Sequence, residues 1–311
     1  MRPPLVIGHR GAPGYRPEHT RSSFLLAIEQ GAQAIEVDVV PAGDGALAVR
    51  HEHALRATTD VADRPEFAGR AHRAAGGRRE WFAEDFTGQE LTTLHARERL
   101  PGVRPQSALH DDREPVLLLA DVLALAAEAD VLLVVEVKDA TRSADLGLDV
   151  PQLLATTLAA QPRLPRLTVE SFEKAPLRAL APLGLPLVYL VDAVGTAEDE
   201  RRRIPRGPTF RQELAAARFE GLAGVSLPTS LVTSSRVAAL HAAGLQVWTW
   251  TLRPENPFLP PAYRRTGGGS GDWRAYWNAL LDTGVDGVFT DHPDLTTGLV
   301  AARAATTALQ L

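Results

Sequence analysis

The chain of 311 residues contains no cysteine. Disulfides and thiolate chemistry are therefore excluded, and any bound metal must take oxygen or imidazole ligands. Charge of one sign is not in excess either: 33 Lys and Arg stand against 38 Asp and Glu, a formal charge of −5. That balance supplies no basic field for nucleic acid or an anionic membrane. Long apolar runs are missing, since none approaches the ~20 residues that span a bilayer. The first strand-like run, "PLVIG", follows Met1 within a few residues and leaves no room for a signal peptide, so the expected location is the cytoplasm. No strand-helix turn carries a G-x-G-x-x-G run, which speaks against a dinucleotide-binding open sheet.

What is present is an ordinary globular composition, 45% hydrophobic and 23% charged. Short runs rich in Val, Leu and Ile recur at 4–8, 34–40, 46–51, 131–138, 166–172, 185–192, 222–228, 245–252 and 285–291. Helix-period stretches separate most of them; "TRSSFLLAIEQG", for example, has Thr20 as N-cap and Gly31 as stop. One connection, "PAGDG", is too short for a parallel crossover and carries the Asp44-Gly45 turn signal. The second and third runs should thus form an antiparallel hairpin. Setting its return strand aside leaves eight candidate parallel strands, the number in a TIM (β/α)8 barrel, with the site at their C-terminal ends. A single domain over 1–311 is expected, interrupted by a polar, Arg-rich insertion at about 52–115 and a long active-face loop at about 253–273. Arg201 to Arg203 read as a solvated face.

Charged residues gather where the strands end. They include His9-Arg10, Glu36 and Asp38, His51-Glu52, Glu136 and Lys138, Glu170, and Asp291-His292. Alternation along a strand puts Glu36 and Asp38 on one side, and Glu136 and Lys138 likewise. A hairpin turn centred between Gly43 and Asp44 would set His51 opposite Glu36. Taken alone, His9-Arg10 reads as a structural ion pair, and Glu-x-Asp fits a solvated edge strand as well as it fits a site. Glu136-x-Lys138 is harder to dismiss, because unpaired ions in so apolar a strand are costly. Together, three carboxylates without thiolates suit one hard divalent cation, Ca²⁺ or Mg²⁺. Arg10 and Lys138 suit a phosphate, and two histidines suit general acid and base. The combination describes metal-assisted phosphodiester cleavage.

The motifs "GHRG", "PEHT", "EVDVV", "H-E" after the hairpin, "EVK", "SF", "VWTW" and "GVDGVFTDHPD" resemble the glycerophosphodiester phosphodiesterase family, in its order, from residue 5 to about 294. "GYRPEHT", "TDVADR", "EDFTGQEL" and "RPENPFLP" are closer to its longer, bacterial glycerol 3-phosphate-releasing type. The resemblance implies a TIM barrel that hydrolyses glycerophosphodiesters to sn-glycerol 3-phosphate and an alcohol through a cyclic phosphate. It implies His9 and His51 as the acid-base pair, Glu36, Asp38 and Glu136 as metal ligands, and Arg10 and Lys138 as phosphate contacts. Phe172, Tyr189 and Trp250, at strand ends, are candidate contacts for the glycerol or the leaving group. Glu18 and Glu52 are expected just behind the site, while His53 and His292 belong to the rim. Two positions depart from the family pattern: Glu52 follows His51 where aspartate is usual, and Thr251 stands where asparagine is expected. A lysophospholipase D-type activity and a non-catalytic glycerophosphodiester-binding protein are the alternatives.

Overall fold

The computed structural model describes residues 3–73, 75–191 and 221–308; Arg201 to Arg203 lie outside them. Eight parallel strands close a barrel: β1 (Leu5–Gly8), β2 (Ala34–Pro41), β6 (Leu132–Val137), β7 (Leu167–Ser171), β8 (Leu187–Leu190), β9 (Leu222–Pro228), β10 (Gln246–Leu252) and β11 (Gly287–Thr290). The ring is sealed by β1, which pairs with β11 on one side and β2 on the other. The expected TIM barrel is the observed fold. Helices such as Arg21–Glu29, Val150–Ala159 and Trp273–Leu281 cover its outside. The first begins as the sequence indicates: the Thr20 side chain accepts the Ser23 N–H, and Gly31 follows with φ +87.

Strand alternation divides the core into two layers. Odd-numbered Ile35, Val37, Leu133, Val135, Val169 and Leu187 pack outward against the helices. Even-numbered Ala34, Val134 and Val188, with Ile7, Trp248 and Phe289, fill the barrel interior. Each near-continuous apolar strand therefore serves both layers, which is why its sequence shows little amphipathic alternation. The polar residues on inward positions of β2, β6 and β7 lie above this filling. In the sheet register Asp38 neighbours Glu136, and Glu136 neighbours Glu170.

The hairpin forms, with a register one residue away from expectation. β3 (Leu47–Val49) runs antiparallel to β2, pairing Val39 with Val49, Val40 with Ala48 and Pro41 with Leu47. The loop has three residues rather than two: the Ala42 N–H donates to Ala46 O at 2.8 Å, and Gly45 takes φ +86. A left-handed glycine closing such a loop adds the extra residue and shifts every facing pair. His51 therefore does not sit across from Glu36; it follows the strand end, just after the Arg50 N–H donates to Asp38 O at 2.9 Å.

The insertion builds a small core of its own. Leu55, Phe67, Trp81, Phe86 and Leu94 pack with Val40 and Ala48 of the hairpin. It also holds a short antiparallel pair, β4 (His72–Arg73) and β5 (Arg79–Glu80), for which the sequence shows no strand signal. The loop after β10 contains short 3-10 turns at Asn256–Phe258 and Pro261–Tyr263. Among the described residues no helix is long and apolar enough to cross a membrane.

Candidate active site

A cavity of about 280 Å³ opens at the C-terminal ends of the strands. His9, Arg10, Glu36, His51, Glu136 and Lys138 line its polar side, together with Glu170. Phe172, Leu190, Trp250 and Phe289 form the apolar wall, with the Phe172 and Trp250 rings edge to face at 5.7 Å.

His9 leaves β1 directly into the cavity, and its Nδ1 lies 2.6 Å from Asp291 Oδ1 at the end of β11. Burial, and then the Arg10 guanidinium, push the His9 imidazole down to about 4 against the pull of Asp291. Arg10 has φ +57, which turns its N–H onto Glu36 Oε2 at 2.8 Å. Its side chain runs back between Asp38, with Nε 3.0 Å from Oδ2, and Glu18, with Nη1 3.2 Å from Oε2. His51 Nδ1 meets Glu52 Oε1 at 2.7 Å. Burial and then Arg10 lower the His51 imidazole, with Asp38 opposing. Each histidine thus has a carboxylate on Nδ1, which leaves Nε2 as the atom available for proton transfer.

Asp38, expected among the metal ligands, is not part of the cavity lining, although both of its buried carboxylate oxygens lack a hydrogen-bond partner and it neighbours Glu136 in the sheet. It faces Arg10, Lys138 Nζ at 3.5 Å and His19 Nε2 at 3.2 Å. Burial would raise its carboxyl, yet Arg10 and Lys138 hold it well below the usual range. A cluster of carboxylates lies within the cavity beside it. Glu36, Glu136 and Glu170 each offer an oxygen within 4.8 Å of the others, all buried. Glu36 Oε1 and Glu170 Oε2 have no hydrogen-bond partner. Burial first, then neighbouring carboxylates, raise Glu36 and Glu170 well above the ordinary glutamate range. Glu136 is pushed up to about 8 by burial, despite Lys138 Nζ at 2.6 Å. Orphaned, mutually repelling oxygen donors of this kind fit a hard divalent cation.

Tyr189, expected to contact the glycerol or the leaving group, does not reach the cavity. As an odd-numbered residue on β8 it turns outward, fully buried beneath the helices with Lys174 Nζ 5.3 Å from its ring. Its even-numbered neighbour Leu190 faces the cavity instead. Glu18 and Glu52 stand beside the cavity, on Arg10 and His51 respectively. His53 is buried against Glu84 rather than at the rim. Asp291 stands among the strand-end charges of the sequence, in "TDHPD", but only the fold brings it to His9 and brings Arg104 and Arg253 to it.

The profile of the glycerophosphoryl diester phosphodiesterase family matches residues 9–295. Glycerophosphodiester phosphodiesterase GDPD6 of Arabidopsis thaliana is 28% identical over 319 residues, covering 93% of this chain and 83% of that protein. Shorter local matches include a Treponema pallidum glycerophosphodiester phosphodiesterase, 41% identical over 92 residues, 30% of this chain and 24% of the relative. Among solved structures, one from Silicibacter pomeroyi assigned as a glycerophosphoryl diester phosphodiesterase superposes with TM-score 0.73 at 25% identity, covering 97% of this chain and 94% of that one. An Oleispira antarctica phosphodiesterase, solved with the product sn-glycerol-3-phosphate, shares the fold with TM-score 0.66 at 21% identity, covering 96% and 97%. With a match across nearly its whole length and the strand-end residues in place, the chain belongs to the glycerophosphoryl diester phosphodiesterase family of hydrolases.

Proposed function

We propose that the protein hydrolyses small glycerophosphodiesters to sn-glycerol 3-phosphate and an alcohol, with one divalent cation, Ca²⁺ or Mg²⁺. The observation that carries this reading is the pair of carboxylate-bound histidines on a cavity that also holds two cationic side chains and three clustered glutamates. At about 280 Å³ the cavity lies near the lower end of small-molecule pockets (about 300–1,000 Å³), a size for a headgroup diester rather than an acyl chain.

Lys138 and Arg10, whose guanidinium is also held by Glu18 and Asp38, receive the phosphate and supply positive charge. His9, neutral at pH 7 because burial depresses it, accepts the proton of the glycerol 2-hydroxyl as that oxygen attacks phosphorus. His51, when protonated at Nε2, donates that proton to the departing alcohol oxygen as its bond to phosphorus breaks, with Glu52 on Nδ1 opposing the burial and Arg10 charge that disfavour its imidazolium. A cyclic glycerol phosphate results, and both proton transfers reverse when water opens it. Phe172 and Trp250 cover the glycerol and exclude bulk water. Glu36, Glu136 and Glu170 would hold the cation, which when bound neutralises phosphoryl charge and orients the glycerol hydroxyls.

The test is a panel of glycerophosphocholine, glycerophosphoethanolamine and glycerophosphoglycerol, assayed for glycerol 3-phosphate with chelator and metal add-back. His9→Ala and His51→Ala should each lower kcat by at least about 100-fold, the usual range for acid-base catalysis, while a diester still binds. Absence of product from all three substrates with either ion overturns the proposal.

A further inference from the structure

The insertion contributes a short segment, residues 96–104, that reaches both histidines without entering the cavity. Arg99 forks onto two carboxylates: Nε and Nη2 meet Glu18 at 2.8 and 2.6 Å, while Nη2 meets Glu52 Oε2 at 2.8 Å and Nη1 meets Glu52 Oε1. Glu52 Oε1 is also the atom on His51 Nδ1. Five residues on, Arg104 Nη2 meets Asp291 Oδ2 at 2.6 Å, and the other oxygen of Asp291 is on His9 Nδ1. Arg104 Nε is taken by Glu255 at 2.7 Å, which anchors the guanidinium from the loop after β10. Each histidine is therefore two hydrogen bonds from an arginine of one segment.

The segment itself is tied down. The Ala96 N–H donates to Glu114 O, the Arg97 N–H to Thr58 O, and the Glu98 N–H to Asp111 Oδ1. Arg104 and Asp291 are almost fully buried. A buried carboxylate whose second oxygen had no cation would turn, or take a proton, and its hold on the histidine would loosen. Held by a guanidinium, it keeps one lone pair aimed at Nδ1, so the proton stays there and Nε2 keeps its direction.

We propose that Arg99 and Arg104 are positioning residues, one for each histidine, through which the insertion sets the orientation and tautomer of His51 and His9 together. Arg97, on the same segment, supplies the contrast. Its partners are Asp63 and Asp112, and neither touches a histidine. The two arms differ in redundancy. Asp291 also accepts from Arg253 Nε at 2.6 Å, whereas Glu52 has no cation besides Arg99 and His51 among the described contacts. Losing Arg99 should thus cost more than losing Arg104.

The experiment compares R99Q, R104Q and R97Q by kcat, KM, pH profile and thermal midpoint. R99Q should lower kcat roughly 10- to 100-fold and R104Q about 10-fold, the range expected when a charged hydrogen-bond partner is lost. KM should move less than about threefold, and R97Q should keep the parent kcat. The acidic limb of kcat/KM should shift to higher pH in R104Q, because His9 has lost a nearby positive charge while Arg10, Arg253 and Asp291 remain. Should a glutamine variant fail to fold, R99K and R104K, which keep the charge without the fork, carry the same comparison with smaller losses. R99Q and R104Q variants that fold and match R97Q in kcat and pH profile would overturn the inference. It rests on His9 and His51 being base and acid: turnover retained in H9A and H51A would sink that reading, whereas inactive H9A and H51A beside fully active R99Q and R104Q would sink this one alone.

Discussion

Replacing Glu170 by glutamine removes one of three buried carboxylates whose oxygens lie within 4.8 Å of one another. At that spacing and an effective dielectric near 20, each ionised pair repels by about 3.5 kcal/mol or more. Three full charges are therefore incompatible with neutral pH in the metal-free cavity, which agrees with the rise of all three glutamates, Glu136 to about 8. A divalent cation needs them ionised, so binding near pH 7 should expel about one to two protons per ion. Calorimetry in buffers of different ionisation heat measures that number directly. In Glu170→Gln the release should fall by about one proton and the ion should bind about 10- to 100-fold more weakly. The sign for stability follows. Folded values above the ordinary 4.5 mean that the folded state holds more protons than the unfolded one, so metal-free stability declines as pH rises from 4.5 through about 8. Added Ca²⁺ or Mg²⁺ should raise Tm by an increment that grows over the same window. A binding heat independent of buffer, together with unchanged affinity in Glu170→Gln, would refute the reasoning.

Asp291→Asn should lower kcat about 10- to 100-fold with little change in KM, because the His9 Nδ1–H loses a charged acceptor at 2.6 Å; steady-state kinetics on glycerophosphocholine decide this. Glu52→Asp restores the residue usual in the family but withdraws its carboxylate by more than an ångström (standard bond lengths), beyond the 2.7 Å contact with His51. A several-fold loss of kcat is expected, and an unchanged or higher kcat would show that the glutamate plays no part in placing the ring. Tyr189→Phe should leave kcat/KM within about twofold, since the ring lies under the helices; a tenfold rise in KM would return Tyr189 to the substrate.

How legible the site was depended on how local its cause is. Period-2 alternation correctly put Glu36 and Asp38 on one side of β2 and Glu136 and Lys138 on one side of β6, because a strand leaves no freedom in that choice. Which parity of β8 faces inward was not given by alternation, and the fold turns Val188 inward and Tyr189 outward. The hairpin register failed by one residue because loop length, not the Asp-Gly signal, fixes facing pairs. Asp38 is a metal ligand by resemblance alone, and only the fold reveals that Arg10, Lys138 and His19 stand around it. Glu170 comes within reach of Glu36 and Glu136 because β7 lies next to β6 in register with Glu136.

The amino-acid sequence by itself determined the eight-stranded barrel, the hairpin within it and the strand-end positions of both histidines, since strand period, turn chemistry and short connections act over a few residues. Only the tertiary structure decided which carboxylate serves which cation. Asp291 reaches His9 across 282 positions of chain, and Arg104 reaches Asp291 across 187. Contacts so distant in sequence carry no periodic trace, and in a polar insertion one arginine looks like another until the fold brings its partner to it.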